Sequence, residues 1–78
     1  MEEAIKNMLG PAIKFYRKKM GIRQEEFTAL LYSKGIKIDR PMLTRIENQT
    51  RGLHDLEIFA ICNILEVDSD DLFNYISE

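Results

Sequence analysis

The chain has 78 residues, a net charge of −2, and 45% hydrophobic and 31% charged side chains. A chain of this length forms one small domain, which leaves no room for a catalytic cleft built from several independent elements. The single cysteine, Cys62, excludes an internal disulfide framework, and no apolar run is long enough for a signal peptide or a membrane span, so we expect a cytoplasmic protein.

The first third of the chain predicts two helices. Residues 1–10 form an N-terminal extension, in which residues 2–9 allow a short helix. Pro11 opens a helix that ends before Gly21, because proline suits the first helical turn and glycine suits the position after the last one. A second helix is predicted over about 24–33, where Phe27, Leu30 and Leu31 have the spacing of one buried face.

A third helix is predicted over residues 40–48, after a connection at 34–38. Asp39 is a good N-cap for it. The helical period places its apolar side chains, Met42, Leu43 and Ile46, on the inward face. The same period places Arg40, Pro41, Thr44 and Arg45 on the outward face.

Two further helices complete the predicted fold. The fourth, over about 55–65, is apolar nearly all round and is expected to be buried on most sides. The fifth follows Asp68, with Asp71 three residues later as in a capping box, and turns Leu72, Phe73 and Ile76 inward. The sequence therefore predicts a compact, all-α, five-helix domain over residues 11–78.

Charge is divided unequally along the chain. Residues 1–51 hold all eleven Lys and Arg and six acids, a net charge of +5, whereas residues 52–78 hold seven acids and no base. Such asymmetry is typical of a chain whose basic part binds a polyanion, although a solvated surface with an acidic tail has the same composition. Net acidity does not exclude DNA binding, because salt screens charges that are more than ~8–10 Å apart.

The second and third predicted helices have the order of a helix-turn-helix, in which the second helix enters the major groove of DNA. Arg40 and Arg45 carry guanidinium groups, whose fork matches O6 and N7 of guanine. Thr44 offers a hydroxyl and a methyl to base edges, and Pro41 a rigid apolar contact. The alternative is that both arginines lie on a solvated helix face, paired with Glu47 or Asp39.

Residues 13–73 resemble the phage-repressor family of helix-turn-helix proteins, which is also called Cro/XRE-like or lambda-repressor-like. The resemblance rests on an ordered set of segments rather than on any one of them. These are Ile13-Lys14-Phe15-Tyr16-Arg17, Gly21-Ile22-Arg23-Gln24-Glu25-Glu26-Phe27, Leu43-Thr44-Arg45-Ile46-Glu47-Asn48 with Arg51, Ile64-Leu65-Glu66-Val67-Asp68, and Asp71-Leu72-Phe73.

The resemblance implies a role for each matching residue. Arg17 and Glu47 match a partly buried structural ion pair, and Gln24 matches a glutamine that holds DNA phosphate at the start of the second helix. The outward residues of the third helix match the positions that read bases. The residues expected at DNA phosphate are Arg23, Gln24, Lys37, Asn48 and Arg51.

Three departures from the family pattern stand out. The connection at 32–38 is about five residues longer than the usual tight turn. Gln49 replaces the usual glycine, and Thr50 replaces the usual lysine, which removes one basic contact. We therefore expect a lower affinity for DNA and a weaker dependence on salt.

These features predict a sequence-specific, repressor-type transcriptional regulator that binds double-stranded DNA as a homodimer. The expected dimer interface consists of Ile61, Ile64, Leu72, Phe73, Tyr75 and Ile76. The alternative is a protein-interaction module on the same fold, such as an antitoxin that neutralises a toxin. The sequence offers no nucleophile–base pair of the kind that an enzyme needs, so we do not expect an enzyme. His54 is the only histidine, so we expect neither a metal nor another cofactor.

Overall fold

The computed structural model describes residues 4–77, which form five α-helices and no strand. The helices are α1 (Gly10–Lys19), α2 (Gln24–Ser33), α3 (Arg40–Glu47), α4 (Asp55–Leu65) and α5 (Ser69–Ser77). The predicted all-α class is therefore confirmed. Within the short helix allowed at residues 2–9, residues 4–9 are not helical, and residues 2 and 3 lie outside the described part. None of the helices in the described part has the length and apolar character of a membrane span.

The predicted caps form at the starts of α3 and α5. A side-chain oxygen of Asp39 accepts a hydrogen bond from the backbone N–H of Met42 at 2.9 Å. Asp68 accepts from the N–H of Asp71 at 2.9 Å, while Asp71 accepts from the N–H of Asp68 at 3.0 Å. These bonds satisfy N–H groups that a helix start leaves without a backbone partner.

The start of α1 packs closely against the end of α3. A Cβ atom at Gly10 would collide with the carbonyl oxygen of Ile46, so only glycine allows the two backbones to approach this far. The preceding residue, Leu9, is buried in the core. The packed domain therefore begins before residue 11.

The core lies where α1 packs against α3, α4 and α5, and α2 against α3 and α4. Its largest fully buried side chains are Ile13, Phe27, Leu31, Ile38, Leu43, Ile46, Ile61 and Leu72. Ile38 belongs to the connection between α2 and α3, and its burial anchors this long connection to the core. Gly35 in the same connection has a φ of 82°, which lets the chain turn after α2. α2 and α3 are thus two packed helices joined by an ordered connection.

One prediction about apolar surfaces is wrong. Ile61 and Leu72 are fully buried in the core of one chain and Ile64 is nearly so, which means that they cannot present a surface to a second copy. α4 is buried on most sides, but one of its faces is uncovered, because Leu56 and Phe59 are 71% and 70% exposed. Of the other residues expected at a dimer interface, Phe73 and Tyr75 are exposed and Ile76 is half-buried.

Candidate nucleic-acid interface

The four residues expected to read bases all lie on the exposed side of α3. Arg40, Pro41, Thr44 and Arg45 are exposed, as the helical period predicts. The opposite side of α3 is buried through Leu43, Ile46 and Glu47. Because α3 has eight residues, it is only ~12 Å long and presents these side chains within about two turns.

The side chain of Gln24 joins the start of α2 to α3. Its amide nitrogen donates to the hydroxyl of Thr44 at 3.2 Å and to the carboxylate of Glu47 at 3.1 Å. Its amide oxygen accepts a hydrogen bond from Nε of Arg40 at 3.1 Å. These bonds fix α3 against α2 and hold Arg40 and Thr44 in place. They also occupy the side chain of Gln24, so that only its backbone amide remains for the expected phosphate contact.

Arg17 and Glu47 form a buried ion pair that ties α1 to the end of α3. Nε and Nη2 of Arg17 donate to the two carboxylate oxygens of Glu47 at 2.7 and 3.1 Å, and both residues are only 6% exposed. Nη1 of Arg17 also donates to the carbonyl oxygen of Ile22 at 2.8 Å, just before α2. One guanidinium group therefore joins α1, the turn before α2 and α3. With both partners present the buried charges compensate each other, whereas removal of one would leave the other uncompensated.

Two of the cations expected at DNA phosphate are exposed around this surface. Arg23 precedes α2 and Lys37 lies in the connection before α3. At the start of α2 the backbone N–H of Arg23 donates to the carboxylate of Glu26 at 3.2 Å, and Glu25 and Glu26 both lie in the first turn of the helix. These two carboxylates partly offset the positive end of α2. Asn48 is also exposed, directly after α3.

Arg51 differs from this expectation, because its guanidinium is paired within the chain. Nη1 and Nη2 of Arg51 donate to the two carboxylate oxygens of Glu57 at 3.1 Å each. Glu57 also accepts from the backbone N–H of His54 at 3.0 Å, at the start of α4. Burial raises the pKa of Glu57, but the hydrogen bonds from Arg51 and from the backbone of His54, with the charges of both residues, together outweigh it and hold that pKa below its ordinary value. Arg51 thus stabilises the loop before α4, and its guanidinium is not free for a phosphate while this pair is formed.

The segment before α1 supports the loop that follows α3, which the sequence analysis did not predict. The side-chain nitrogen of Asn7 donates to the carbonyl oxygens of Ile46 at 3.0 Å and Arg51 at 2.7 Å, and its oxygen accepts from Gly10 N–H at 2.7 Å. The backbone N–H of Lys6 donates to the carbonyl oxygen of Gln49 at 2.9 Å. Lys6 is therefore an exposed cation fixed beside this loop. No sequence pattern relates one asparagine to partners some forty residues away.

The described residues contain no group of three or more His, Cys, Asp and Glu side chains that could hold a metal ion. Cys62 is half-buried on α4. Burial, together with the nearby carboxylates of Asp68 and Asp71, raises the pKa of its thiol above the ordinary value. At neutral pH this keeps the sulfur as a thiol rather than as the more reactive thiolate.

A scan against protein-family models finds no match for this chain, and neither does a search of curated proteins.

Proposed function

We propose that this protein is a sequence-specific DNA-binding transcriptional regulator of the repressor type, which inserts α3 into the major groove and acts as a homodimer. One observation carries the proposal. The outer side of α3 presents Arg40, Thr44 and Arg45 to solvent, while its inner side is locked to α1 and α2 by buried contacts. A helix of this width fits the major groove, and an arginine fork suits guanine.

The environments of the two arginines assign them different tasks. Arg40 is oriented by Gln24, whereas the guanidinium of Arg45 makes no hydrogen bond or ion pair within residues 4–77. Neither arginine pairs with Glu47 or Asp39, because Glu47 is taken by Arg17 and Gln24, and Asp39 caps α3. Arg40 therefore enters the groove in a fixed pose, while Arg45 is free to adapt to a base.

Phosphate contacts on either side of α3 would set the register of the helix in the groove. Arg23, which precedes α2, suits one strand, and Lys37 and Asn48 add contacts at the two ends of α3. The acidic residues of α4 and α5 lie on other elements than these residues and the arginines of α3, so the net charge of −2 does not by itself describe the surface around α3. The exposed acids around α3 are Glu25, Glu26 and Asp39.

The test is selection of bound fragments from random duplex DNA, followed by titration of the selected site. We expect Arg45→Ala to relax the preference at one base pair and to weaken binding by ~10–100-fold, since a bidentate arginine–guanine contact discriminates by ~1–3 kcal/mol. Arg40→Ala is expected to act at a different base pair.

Lys19→Ala is the matched control, because it also removes one exposed cation. The ammonium of Lys19 lies 5.9 Å from the ring centres of Phe15 and Tyr16, on the side of α1 where Phe15 stacks on Tyr75 of α5. This variant should keep the base preference of the natural chain. Selection of no common sequence, or unchanged binding in an Arg40→Ala and Arg45→Ala double variant, would overturn the proposal.

A protein-interaction module, such as an antitoxin, is the second candidate. The exposed apolar side chains on α4, next to an acidic half of the chain, favour it. A chain that selects no DNA sequence but binds a basic protein partner through α4 would have this function instead.

A further inference from the structure

The outer face of α4 exposes two large apolar side chains at helical spacing. Leu56 and Phe59 are 71% and 70% exposed, more than any other large hydrophobic residue in the described part of the chain. They are three positions apart and therefore lie on the same side of the helix. Where exposed apolar side chains join into one contiguous patch, they mark an interaction surface.

Two shallow hollows flank this face. The first lies between α4 and the connection after α2, and its lining includes Lys34, Ile36 and Leu56. The second lies between α4 and the start of α5, and its lining includes Ile58, Val67 and Asp68. Phe59 and Asn63 line both hollows and form the ridge between them.

The charges at the two hollows have opposite signs. The lining of the first includes the cation of Lys34 and no acidic residue. The lining of the second includes the carboxylates of Asp55 and Asp68 and no basic residue. The face is therefore complementary in charge to itself, because the cation on one side of the ridge attracts the carboxylates on the other side.

We infer that a second copy of this chain binds to the outer face of α4, about a two-fold axis that passes through the Phe59–Asn63 ridge. Such an axis brings the first hollow of each copy opposite the second hollow of the other. Leu56 then enters the second hollow of the other copy. Lys34 faces the acidic lining of that hollow, which includes Asp55 and Asp68. The two Phe59 rings meet on the axis.

This inference rests on the proposed function and specifies the homodimer that it requires. It also replaces the interface expected from the sequence, because α4 turns Ile61 and Ile64 into the core and Leu56 and Phe59 outward. A second copy fits the face better than a purely basic partner. Such a partner would match the acidic hollow, but it would be repelled by Lys34 at the other.

The experiment is sedimentation equilibrium over a concentration series, without DNA. Lys34→Glu and Asp68→Lys should each weaken self-association about tenfold or more, because each creates two like-charge contacts across the two-fold axis. Because Asp68→Lys also removes the cap of α5, recovery in the mixture rather than the effect of the single variant is the decisive result. An equimolar mixture of the two variants should associate again. In that heterodimer the two substituted side chains have opposite charges and face each other, and so do the unchanged Lys34 and Asp68.

Lys37→Glu is the matched control, because it makes the same change in the same connection but outside both hollows. It should associate like the natural chain, whereas Leu56→Asp should be monomeric with an unchanged helical circular dichroism spectrum. A natural chain that stays monomeric throughout, or a mixture that does not associate more strongly than the single variants, overturns the inference.

The proposed function is tested separately with duplex DNA that contains one selected half-site. A monomer that binds this duplex overturns the dimer inference and the homodimer of the proposed function, but leaves DNA binding through α3 in place. A dimer that follows the charge-swap pattern but binds no duplex overturns only the proposed function.

Discussion

Two residues other than glycine have a left-handed backbone in the described part of the chain, and their surroundings differ. Gln49, with a φ of 68°, is supported by its neighbours: its side chain donates to the carbonyl oxygen of Asn7 at 3.1 Å, and its own carbonyl accepts from Lys6. Glu66, with a φ of 59°, ends α4 and is exposed, and its side chain makes no hydrogen bond within residues 4–77. The backbone at Glu66 therefore carries a cost that no side-chain contact offsets.

We expect Glu66→Gly to stabilise the fold by ~0.5–1 kcal/mol, because glycine adopts this conformation without the steric cost that a Cβ imposes. Urea denaturation of the natural and variant chains measures the difference. Glu66→Ala is the control, since it removes the same carboxylate but keeps the Cβ. Equal stabilisation by alanine and glycine would assign the effect to charge rather than to backbone conformation.

At the scale of single residues, the sequence predicted some partners and missed others for identifiable reasons. The pairing of Arg17 with Glu47 followed from the family resemblance, which relates residues thirty positions apart. Arg51 was assigned to phosphate from the same resemblance, but Glu57 lies only six positions later and takes its guanidinium. A family resemblance indicates which position carries a role. It does not indicate which acidic side chain of this chain lies close enough to pair with an arginine at that position.

At the scale of elements, the sequence predicted the ends of helices more accurately than it predicted which face of a helix is covered by other helices. Caps and stops are local signals, so Asp39 and the Asp68–Asp71 pair located the starts of α3 and α5. The apolar composition of α4 did not reveal which side is uncovered. That depends on how many other helices reach α4, and among the five described helices none covers Leu56 and Phe59.

Asn7 connects two segments that have no regular structure, the one before α1 and the loop after α3. We expect Asn7→Ala to destabilise the fold by ~2 kcal/mol, because it removes two donated hydrogen bonds and one accepted bond in a half-buried site. Amide hydrogen exchange should accelerate at residues 48–52 more than in the middle of α4. Both effects are measurable by denaturation and by NMR.

Asn74→Ala is the matched control for this variant. Asn74 is exposed on α5, and its side chain makes no hydrogen bond in the described part of the chain. Its replacement should leave the loop after α3 unchanged. Loss of stability without faster exchange in that loop would show that Asn7 supports α1 alone.

At the scale of the whole molecule, the uneven distribution of charged residues along the chain becomes an uneven distribution of charge among the helices. The elements around the proposed DNA surface carry Arg23, Lys37, Arg40 and Arg45, while α4 and α5 carry acids and no base. The extents of 38 × 25 × 22 Å exceed the screening length of ~8–10 Å at physiological salt. Carboxylates of α4 and α5 that lie farther than this length from α3 therefore have little influence on a polyanion bound there.

The salt dependence of DNA binding tests whether affinity depends on the charges beside α3 or on the net charge of the whole chain. Lys37→Ala makes the net charge more negative and removes one cation beside α3, so the slope of log K against log salt should fall in magnitude by ~0.9. Asp70→Asn makes the net charge less negative at the start of α5, and it should leave the slope unchanged. Arg51→Ala should also leave the slope unchanged, because Glu57 already neutralises that guanidinium in the free protein. Equal and opposite changes of slope for Lys37→Ala and Asp70→Asn would instead mean that the net charge governs binding, and that α3 has no privileged contact with the duplex.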